Sequence, residues 1–401
     1  MSTILLYRRF GIFGYNFVKQ DFIKDLTFFR IEQPRERLRC PLCNSSDVWA
    51  QGGEVRTIQS LPIGSKPTFV TLKVPRVYCH ACKCTRQCKI NFADPKKSYT
   101  HAFERYVLEV SRLTTIQDAA NHLRLSWDTV KDIQAKYLQR KFSKPKLGKL
   151  KQIAIDEICI GKGQRYLTVV LNLITGAVVF VGDGKGGDAL KPFWKRLRRS
   201  HAKIEAVATD MSKAYIKAVR DNLKGSVHVF DHFHVIKLFN EKLSDLRRSL
   251  YLTLTAQGKK LVKGIRWLLL QNEEDLDAKG KNRLDRALKL NEPLAIAYYL
   301  KEDLRQLWRQ PNKQLARLAL RAWLLEARES GVKMLEKFAD TLEEYQEGIL
   351  NYYDYRISTG PLEGTNNKIR KMNGQAYGYR DLAFFKLKIL ALHTTKYALI
   401  G

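Results

Sequence analysis

The 401-residue sequence contains no apolar run long enough to cross a membrane. Its longest apolar stretch, residues 166–182, is interrupted by Asn172 and Gly176, which predict two strands joined by a turn. The N-terminus carries Arg8 and Arg9 but lacks the apolar core and cleavage site of a secretory signal. Internal repeats and low-complexity tracts are also absent. We therefore expect a cytosolic protein with no membrane partner.

Acidic residues are scarce relative to basic ones. The chain has 40 Asp and Glu against 71 Lys and Arg, a formal net charge of +31. A charge of this size repels itself unless a polyanion neutralises it, which indicates a nucleic acid partner, with double-stranded DNA foremost. A merely basic or ribosome-associated protein is the alternative. The length and the 45% hydrophobic content predict two or three ordinary globular domains.

Seven cysteines in a reducing compartment indicate metal binding or free thiols and argue against disulfides. Four of them form two CxxC pairs, Cys40 with Cys43 and Cys79 with Cys82. Each pair places two thiolates about one tetrahedral edge apart, so the two pairs predict one structural Zn²⁺.

The spacer between the two pairs is longer than is usual for such sites. It has room for a hairpin, with turns predicted at residues 52–53 and 62–64. His80, Cys84 or Cys88 could each replace one zinc ligand. Buried free cysteines in a small β domain are a further alternative.

Residues 115–133 have the pattern of a helix-turn-helix. Its predicted core consists of small and apolar residues, namely Ala119, Ala120, Leu123, Val130 and Ile133. Ser126 is the predicted N-cap of the second helix. Trp127, Thr129 and Lys131 would then face a DNA major groove. An ordinary helical hairpin is the alternative, although Lys136 and the basic residues after it favour DNA.

After a basic linker, the pattern predicts three consecutive strands followed by alternating helices and strands. The strands are expected at residues 152–160, 166–173, 177–181, 203–209 and 226–230. This order predicts a mixed α/β sheet of the ribonuclease-H-like type. Residues 232–350 lack strand signals and predict an α-helical insertion that interrupts this fold.

Three carboxylates stand in settings that suit metal binding. Asp156 and Asp210 each end a short apolar run, and Glu363 opens a basic C-terminal stretch. Carboxylates are the ligands that Mg²⁺ prefers, and two ions can stabilise the attacking and leaving oxygens of an in-line displacement. Taken singly, an Asp at a strand end is more often a turn former or a helix cap.

Other acids and two histidines compete for the same role. Glu157 is expected on the sheet face opposite Asp156, because side chains alternate along a strand. Asp231 could support the site without binding metal. His232 and His234 could form a metal pair or serve the structure alone.

Several short motifs together resemble the transposases of the ISL3 insertion-sequence family. They span most of the chain, and the set is more specific than any member. The matching segments lie at residues 40–43, 125–130, 155–157, 162–166, 209–212, 214–215, 230–235, 362–369 and 378–380. Two positions depart from the family pattern: Arg124 replaces a usual Gly, and residues 372–375 are less basic than is common.

The resemblance implies a DDE transposase with Asp156, Asp210 and Glu363 as its catalytic, metal-binding triad. It also implies two Mg²⁺ or Mn²⁺ ions, terminal inverted repeats and target DNA as substrates, and a homo-oligomer in the synaptic complex. A bacterial, nucleoid-associated location follows from this. One to two helical turns after Glu363, the basic residues Lys368, Arg370 and Lys371 are candidates to bind backbone phosphate. The alternative for them is a solvated basic face.

The predicted fold is thus a ribonuclease-H-like α/β domain with a helical insertion, preceded by a Cys₄ zinc ribbon and a helix-turn-helix domain. The predicted segments are an N-terminal extension (1–39), zinc ribbon (40–95), helix-turn-helix (96–142), linker (143–149), first catalytic part (150–235), insertion (236–350) and C-terminal helices with the catalytic Glu (351–401). Two other functions compete with the transposase: a non-catalytic DNA-binding protein or inactive remnant, and a structure-specific nuclease or ribonuclease.

Overall fold

The structure is a computed structural model that describes residues 3–161, 163 and 165–393. The chain forms two compact units, which divide between Ser143 and Lys144 at the start of the predicted linker. Lys162 and Gln164 of one matching segment, and the last residues of the predicted 351–401 domain, lie outside the described residues. Within the described ranges, no helix has the length and apolar character that a membrane crossing requires.

The first unit is built on a five-stranded sheet in the order β1-β2-β4-β3, with β5 paired to β4. Its first elements are α1 (Thr3–Phe10), β1 (Asn16–Ile23), β2 (Leu26–Glu32), β3 (Val48–Ile63), β4 (Lys66–Cys79) and β5 (Cys84–Gln87). Strand β2 runs parallel to β4, while β1 with β2 and β3 with β4 are antiparallel. Residues 1–39, for which the sequence pattern predicts no element, therefore contribute two strands to the sheet of the cysteine-rich segment.

The long β3–β4 hairpin fills the spacer between the two CxxC pairs. Its turn includes Gly64, which has a φ of +61°, as predicted. The other predicted turn, at Gly52-Gly53, is wrong, because the pairing register shifts there and the chain continues as one bulged strand. A Cβ atom at Gly53 would lie 2.4 Å from the carbonyl oxygen of Val74, so glycine permits this close approach.

Three helices complete the first unit and confirm the predicted helix-turn-helix. They are α2 (His101–Val110), α3 (Ile116–Leu123) and α4 (Trp127–Phe142). All five predicted core residues are buried. The turn begins at Arg124, which adopts a left-handed conformation with a φ of +53° where glycine is common. The backbone amide of Thr129 donates to the Ser126 hydroxyl at 3.1 Å, which confirms the predicted N-cap.

The second unit contains a sheet in the order β10-β9-β6-β7-β8. Its strands are β6 (Gln152–Gly161), β7 (Arg165–Asn172), β8 (Val178–Asp183), β9 (Ala206–Thr209) and β10 (Val227–Phe230). Strands β6, β7 and β8 are antiparallel neighbours, and β9 and β10 extend the sheet in parallel from β6. This topology confirms the predicted ribonuclease-H-like mixed sheet, with Asp156 on its central strand.

Helices cover both faces of this sheet. Helices α5 (Lys191–Ser200) and α6 (Lys213–Asn222) share a buried core with the face that carries Ile153 and Ile155. Helix α14 (Gly360–Gln375) contacts β6, and α15 (Leu382–Ala391) contacts β8. The sheet therefore forms the middle layer between the two sets of helices.

Seven helices separate β10 from α14 and confirm the predicted insertion. They are α7 (His232–Thr253), α8 (Ala256–Val262), α9 (Arg266–Leu270), α10 (Ala278–Leu288), α11 (Glu292–Gln306), α12 (Lys313–Glu329) and α13 (Lys333–Leu350). The insertion has its own apolar core, which includes Trp323 and Phe338. At its end, Gly348 packs so closely on Phe230 of β10 that a Cβ atom would lie 2.4 Å from the ring. The Asn351 side chain also donates to the β10 backbone, so the C-terminal end of the insertion is attached to the sheet edge.

Candidate active site and metal sites

Asp156 and Asp210 lie at the same level of neighbouring parallel strands. The last paired residues of β6 and β9 are Ala154 and Ala208, so both acids lie two residues further along in the same register. Paired residues point to one face of a sheet, and adjacent strands are about 4.8 Å apart. The sheet therefore brings the two predicted carboxylates side by side on one face.

The surroundings of these acids disfavour their negative charge. Burial raises the pKa of Asp156 to about 6, and the negative charges of Asp210 and Glu157 contribute to this rise. Burial also raises the pKa of Asp210. Positive charge on His234 opposes both shifts, and Lys237 opposes the shift at Asp210. Two partly buried anions that face each other are a suitable environment for a cation.

Glu157 points away from this pair, as strand alternation predicts. Its carboxylate accepts a hydrogen bond of 2.6 Å from the hydroxyl of Tyr215 on α6. Tyr215 is fully buried in the core between the sheet and α5–α6. Glu157 therefore lies against the helices of one face, whereas α14 approaches Asp156 from the other.

Glu363 lies in the first turn of α14, and the same helix contacts Asp156 through Asn366. The side-chain amide of Asn366 donates to Asp156 at 2.9 Å. Glu363 is exposed one helical turn before this contact, so the two side chains share a face of α14. Among the described residues, only four cysteines bring three or more potential metal ligands within 4.8 Å of one another. The three carboxylates therefore do not converge to that distance.

Asn366 was not singled out by the sequence pattern as a site residue. It is 1% exposed, and its Oδ1 atom has no hydrogen-bond partner within the described part of the chain. Its spacing of three residues from Glu363 on a helix was the available signal, because such residues are neighbours on one face.

Asp231 connects the end of β10 to the start of α14. It is 1% exposed and accepts hydrogen bonds from the backbone amides of Phe233, at 3.1 Å, and Thr359, at 3.2 Å. The Thr359 hydroxyl and the His232 ring also contact its carboxylate. Burial alone would raise the pKa of Asp231, but these partners hold it below its usual range. Asp231 thus attaches the helix of Glu363 to the sheet.

The two histidines beside Asp231 have different surroundings. His232 contacts Asp231 and lies 5.8 Å, between ring centroids, from Trp308. His234 is near enough to Asp156 and Asp210 to interact with both electrostatically. Among the residues that the structure describes, neither belongs to a cluster with metal-site spacing.

The basic residues Lys368, Arg370 and Lys371 are all exposed on α14. Arg370 lies two turns after Glu363 and donates to Asn367 at 2.6 Å. Asn373, in the segment that departs from the family pattern, donates to the backbone of Ile160 at 3.0 Å. That segment therefore contributes to holding α14 on β6.

Four cysteines of the first unit form a cluster with the geometry of a zinc site. Cys40, Cys43, Cys79 and Cys82 place their sulfur atoms within 4.8 Å of one another. Two of the distances, Cys43 to Cys79 at 3.6 Å and Cys40 to Cys82 at 4.0 Å, bracket the tetrahedral edge of about 3.8 Å that a Zn–S bond of about 2.3 Å implies. Backbone amides of Cys43 and Leu42 lower the pKa of Cys40 to about 6, which favours the thiolate.

The two CxxC turns share one backbone conformation. The residue after each pair, Asn44 or Lys83, has a left-handed φ, of 59° or 53°. Each donates its amide to the carbonyl of the first cysteine of its pair, at 2.9 and 2.8 Å. The alternative ligands His80, Cys84 and Cys88 lie outside the cluster.

The predicted DNA-contact residues lie along the start of the second helix of the helix-turn-helix. Trp127 is 43% exposed, and the ammonium group of Lys131 lies 5.6 Å from its ring centroid. The Ser126 and Thr129 hydroxyls are 2.8 Å apart. Lys136, further along the same helix, forms ion pairs with Asp94 and Glu104.

The second unit has a ribonuclease-H-like sheet with paired acids at neighbouring strand ends. Together with the zinc-ribbon segment and the helix-turn-helix of the first unit, this sheet defines a DNA transposase of the DDE class. Family models agree with this definition along the chain. A model described as "Transposase", of the ISL3 type, matches residues 153–389. The helix-turn-helix domain of transposase family ISL3 matches residues 88–138, and the zinc finger of the IS204/IS1001/IS1096/IS1165 transposases matches residues 36–82. The chain belongs to the ISL3 family of transposases.

Individual relatives extend over most of the chain. It is 30% identical over 356 residues to the transposase for insertion sequence element IS1001 of Bordetella parapertussis, covering 88% of each chain. It is 26% identical over 381 residues to the IS1557 transposase of Mycobacterium tuberculosis, covering 88% of this chain and 85% of that one. A solved structure, the Drosophila P element transposase strand transfer complex, aligns with a TM-score of 0.39 and 14% identity over 74% of this chain and 93% of that one.

Proposed function

We propose that this transposase binds the terminal inverted repeats of an insertion sequence and catalyses metal-dependent strand cleavage and strand transfer. The observation that carries the proposal is that Asp156 and Asp210 each lie two residues beyond the last paired residues of β6 and β9, and that the helix bearing Glu363 contacts Asp156. Phosphodiester chemistry depends mainly on positioning and on neutralising developing charge, and this arrangement suits both.

The residues present fit a pair of Mg²⁺ or Mn²⁺ ions. Asp156, Asp210 and Glu363 offer hard oxygen ligands, and the buried Oδ1 atom of Asn366 has no hydrogen-bond partner among the described residues. Asp156, Asp210 and Glu363 would hold these ions. The ions would supply charge neutralisation at the attacking and leaving oxygens.

DNA would be held at two further places on the chain. Lys368, Arg370 and Lys371 would bind backbone phosphate beside Glu363, because ammonium and guanidinium groups position DNA through its phosphates. Ser126, Trp127, Thr129 and Lys131 would contact the major groove. Joining two element ends to target DNA implies a homo-oligomer in the synaptic complex, and substrate DNA implies a cytoplasmic, nucleoid-associated location.

A matched pair of variants tests the catalytic assignment. Asp156→Asn should reduce metal-dependent cleavage of a terminal-repeat duplex about 1000-fold, equivalent to about 4 kcal/mol, while DNA binding persists. Glu157→Gln, one residue further on the opposite face, should still cleave. Equal cleavage by Asp156→Asn and wild type would refute the assignment.

A non-catalytic DNA-binding protein is the second candidate, because the three carboxylates do not converge to within 4.8 Å among the described residues. Wild-type protein that binds the repeat but never cuts it, with Mg²⁺ or Mn²⁺, would favour that function.

A further inference from the structure

A groove in the second unit follows helix α7, whose first residues come directly after Asp231. Its volume is about 480 Å³, and its lining includes Phe233, Lys237, Arg248 and Arg266. Lys237 is near enough to Asp210 for its charge to lower the pKa of that acid. Phe233, two residues after Asp231, is 47% exposed at one end of the groove. Through Lys237 the groove therefore lies near Asp210.

The other end of the groove belongs to a segment without acidic residues. Between Asp245 and Glu273 the sequence contains six basic residues and no acid. These six are Arg247, Arg248, Lys259, Lys260, Lys263 and Arg266. Within the described part of the chain, only Arg248 of the six is in an ion pair, with Asp245.

Three of these cations lie close together and repel one another. Burial lowers the pKa of Arg247, and the charges of Arg266 and Arg248 lower it further. The Nε atom of Arg247 is buried with no hydrogen-bond partner among the described residues. Arg247 and Arg266 have no ion-pair partner among the described residues, and three guanidinium groups close together produce a positive potential, which attracts a polyanion. Glu241 and Asp245 also line the groove and offset part of this charge.

We propose that this groove, lined by α7 and α9, holds the sugar-phosphate backbone of the substrate DNA on its way into the candidate active site. The inference rests on the proposed function and extends it to the helical insertion.

From Phe233 to Arg248 the helix rises about 22 Å. This length corresponds to about six or seven nucleotides of a DNA strand. Arg248 and Arg266 would each neutralise one phosphate, and the exposed Phe233 ring would lie beside the nucleotide nearest the acids.

The test compares two double variants in the full chain. Arg248→Ala with Arg266→Ala removes the groove cations, and Arg317→Ala with Arg321→Ala removes two exposed arginines of α12 as the control. Binding of a duplex that carries the terminal repeat and its flank is measured over a salt series without Mg²⁺. The groove variant should reduce the slope of log K against log salt by about 1.8, and the control should leave it unchanged.

Phosphate ethylation interference then locates the lost contacts. In wild type, ethylation within about seven nucleotides of the element boundary should inhibit binding, and the groove variant should lose this sensitivity there. An unchanged salt slope, or lost contacts confined to the distal part of the repeat, would overturn the proposal and leave an ordinary solvated basic surface. Failure of the proposed function would show separately, as wild-type binding without cleavage.

Discussion

The cysteine cluster and the acid cluster show two ways of building a metal site. The four cysteines come from two short turns at the same end of one hairpin, and their sulfur atoms already have the spacing of a metal site. The three acids come from two strands and a helix, with Asp156 and Glu363 separated by the whole insertion. A site built from local turns takes its geometry from nearby sequence, whereas the acid site depends on how distant elements pack.

The difference explains why the acid site needs supporting residues. Asp231 attaches Thr359, at the start of α14, to the end of β10, and Asn366 connects the same helix to Asp156. Gly348 permits the insertion to pack on Phe230 of β10. We therefore expect changes at the cysteines to have local effects, and changes at these three contacts to act on cleavage from a distance.

The largest expected effect is a complete loss of zinc, which distinguishes the cysteine site from the acid site. Cys40→Ser should release the zinc ion, from one per chain to none, and unfold residues 40–95 locally, because the remaining thiolates cannot complete a tetrahedral site. Cys88→Ser, a buried cysteine outside the cluster, is the control and should retain zinc. Zinc content is measured on purified protein by elemental analysis. Unchanged zinc in Cys40→Ser would show that the ligand set is wrong.

Asp231→Ala should weaken the acid site without changing zinc content. The change leaves the Thr359 amide and hydroxyl without their partner and loosens the first turn of α14, and a displacement of about 1 Å can cost about 100-fold in rate. The depressed pKa of Asp231 implies that its stabilising contribution is present above the usual Asp pKa of about 3.9 and is lost in stronger acid. Cleavage rates and zinc content are compared with those of Asp188→Ala, an exposed acid. Wild-type cleavage by Asp231→Ala would contradict a positioning role.

Gly348→Ala should lower the Tm of the second unit by roughly 5 °C, because the added methyl group overlaps the Phe230 ring. Gly364→Ala, where a Cβ atom meets nothing within 4 Å, provides the control in calorimetry. Equal Tm values for the two variants would show that the contact between the insertion and β10 is not close-packed.

The smallest effect concerns Lys388, which is fully buried on α15 with no hydrogen-bond partner for its amine among the described residues. Burial lowers the pKa of Lys388 to about 7, so the unfolded chain binds this proton more tightly than the folded protein. Lys388→Met should raise the Tm by a few degrees at pH 7, and the gain should shrink as the pH rises toward 10. A gain that is independent of pH would contradict this origin.

The regular elements of the second unit could be predicted because their side chains alternate or repeat with the period of a strand or helix. The strand that ends near Thr209 and the acid after it follow from that pattern alone. The pairing of β2 with β4 could not be predicted in the same way, because a parallel partner is selected by the folded sheet. Two consecutive glycines such as Gly52-Gly53 fit a turn and a β-bulge equally well. Only the pairing register of β3 with β4 in the structure distinguishes the two.

The candidate site also has features that the sequence predicts and features that it does not. The carboxylates could be predicted because each stands at a recognisable boundary between elements. The contacts from Asn366 to Asp156 and from Thr359 to Asp231 could not, since each joins residues separated by the helical insertion. Lys136 resembles its basic neighbours in sequence, and its ion pairs with Asp94 and Glu104 could not be predicted from that pattern.

The most direct test of the acid site is cleavage of a labelled duplex that carries the element's own terminal repeat. Wild type and Glu363→Gln are compared with Mg²⁺ or Mn²⁺, and Glu347→Gln, an exposed acid of α13, serves as the control. We predict a metal-dependent nick at the repeat boundary for wild type and the control, and none for Glu363→Gln. Binding without cleavage by wild type, or undiminished cleavage by Glu363→Gln, would contradict the assignment of Glu363 to the metal site.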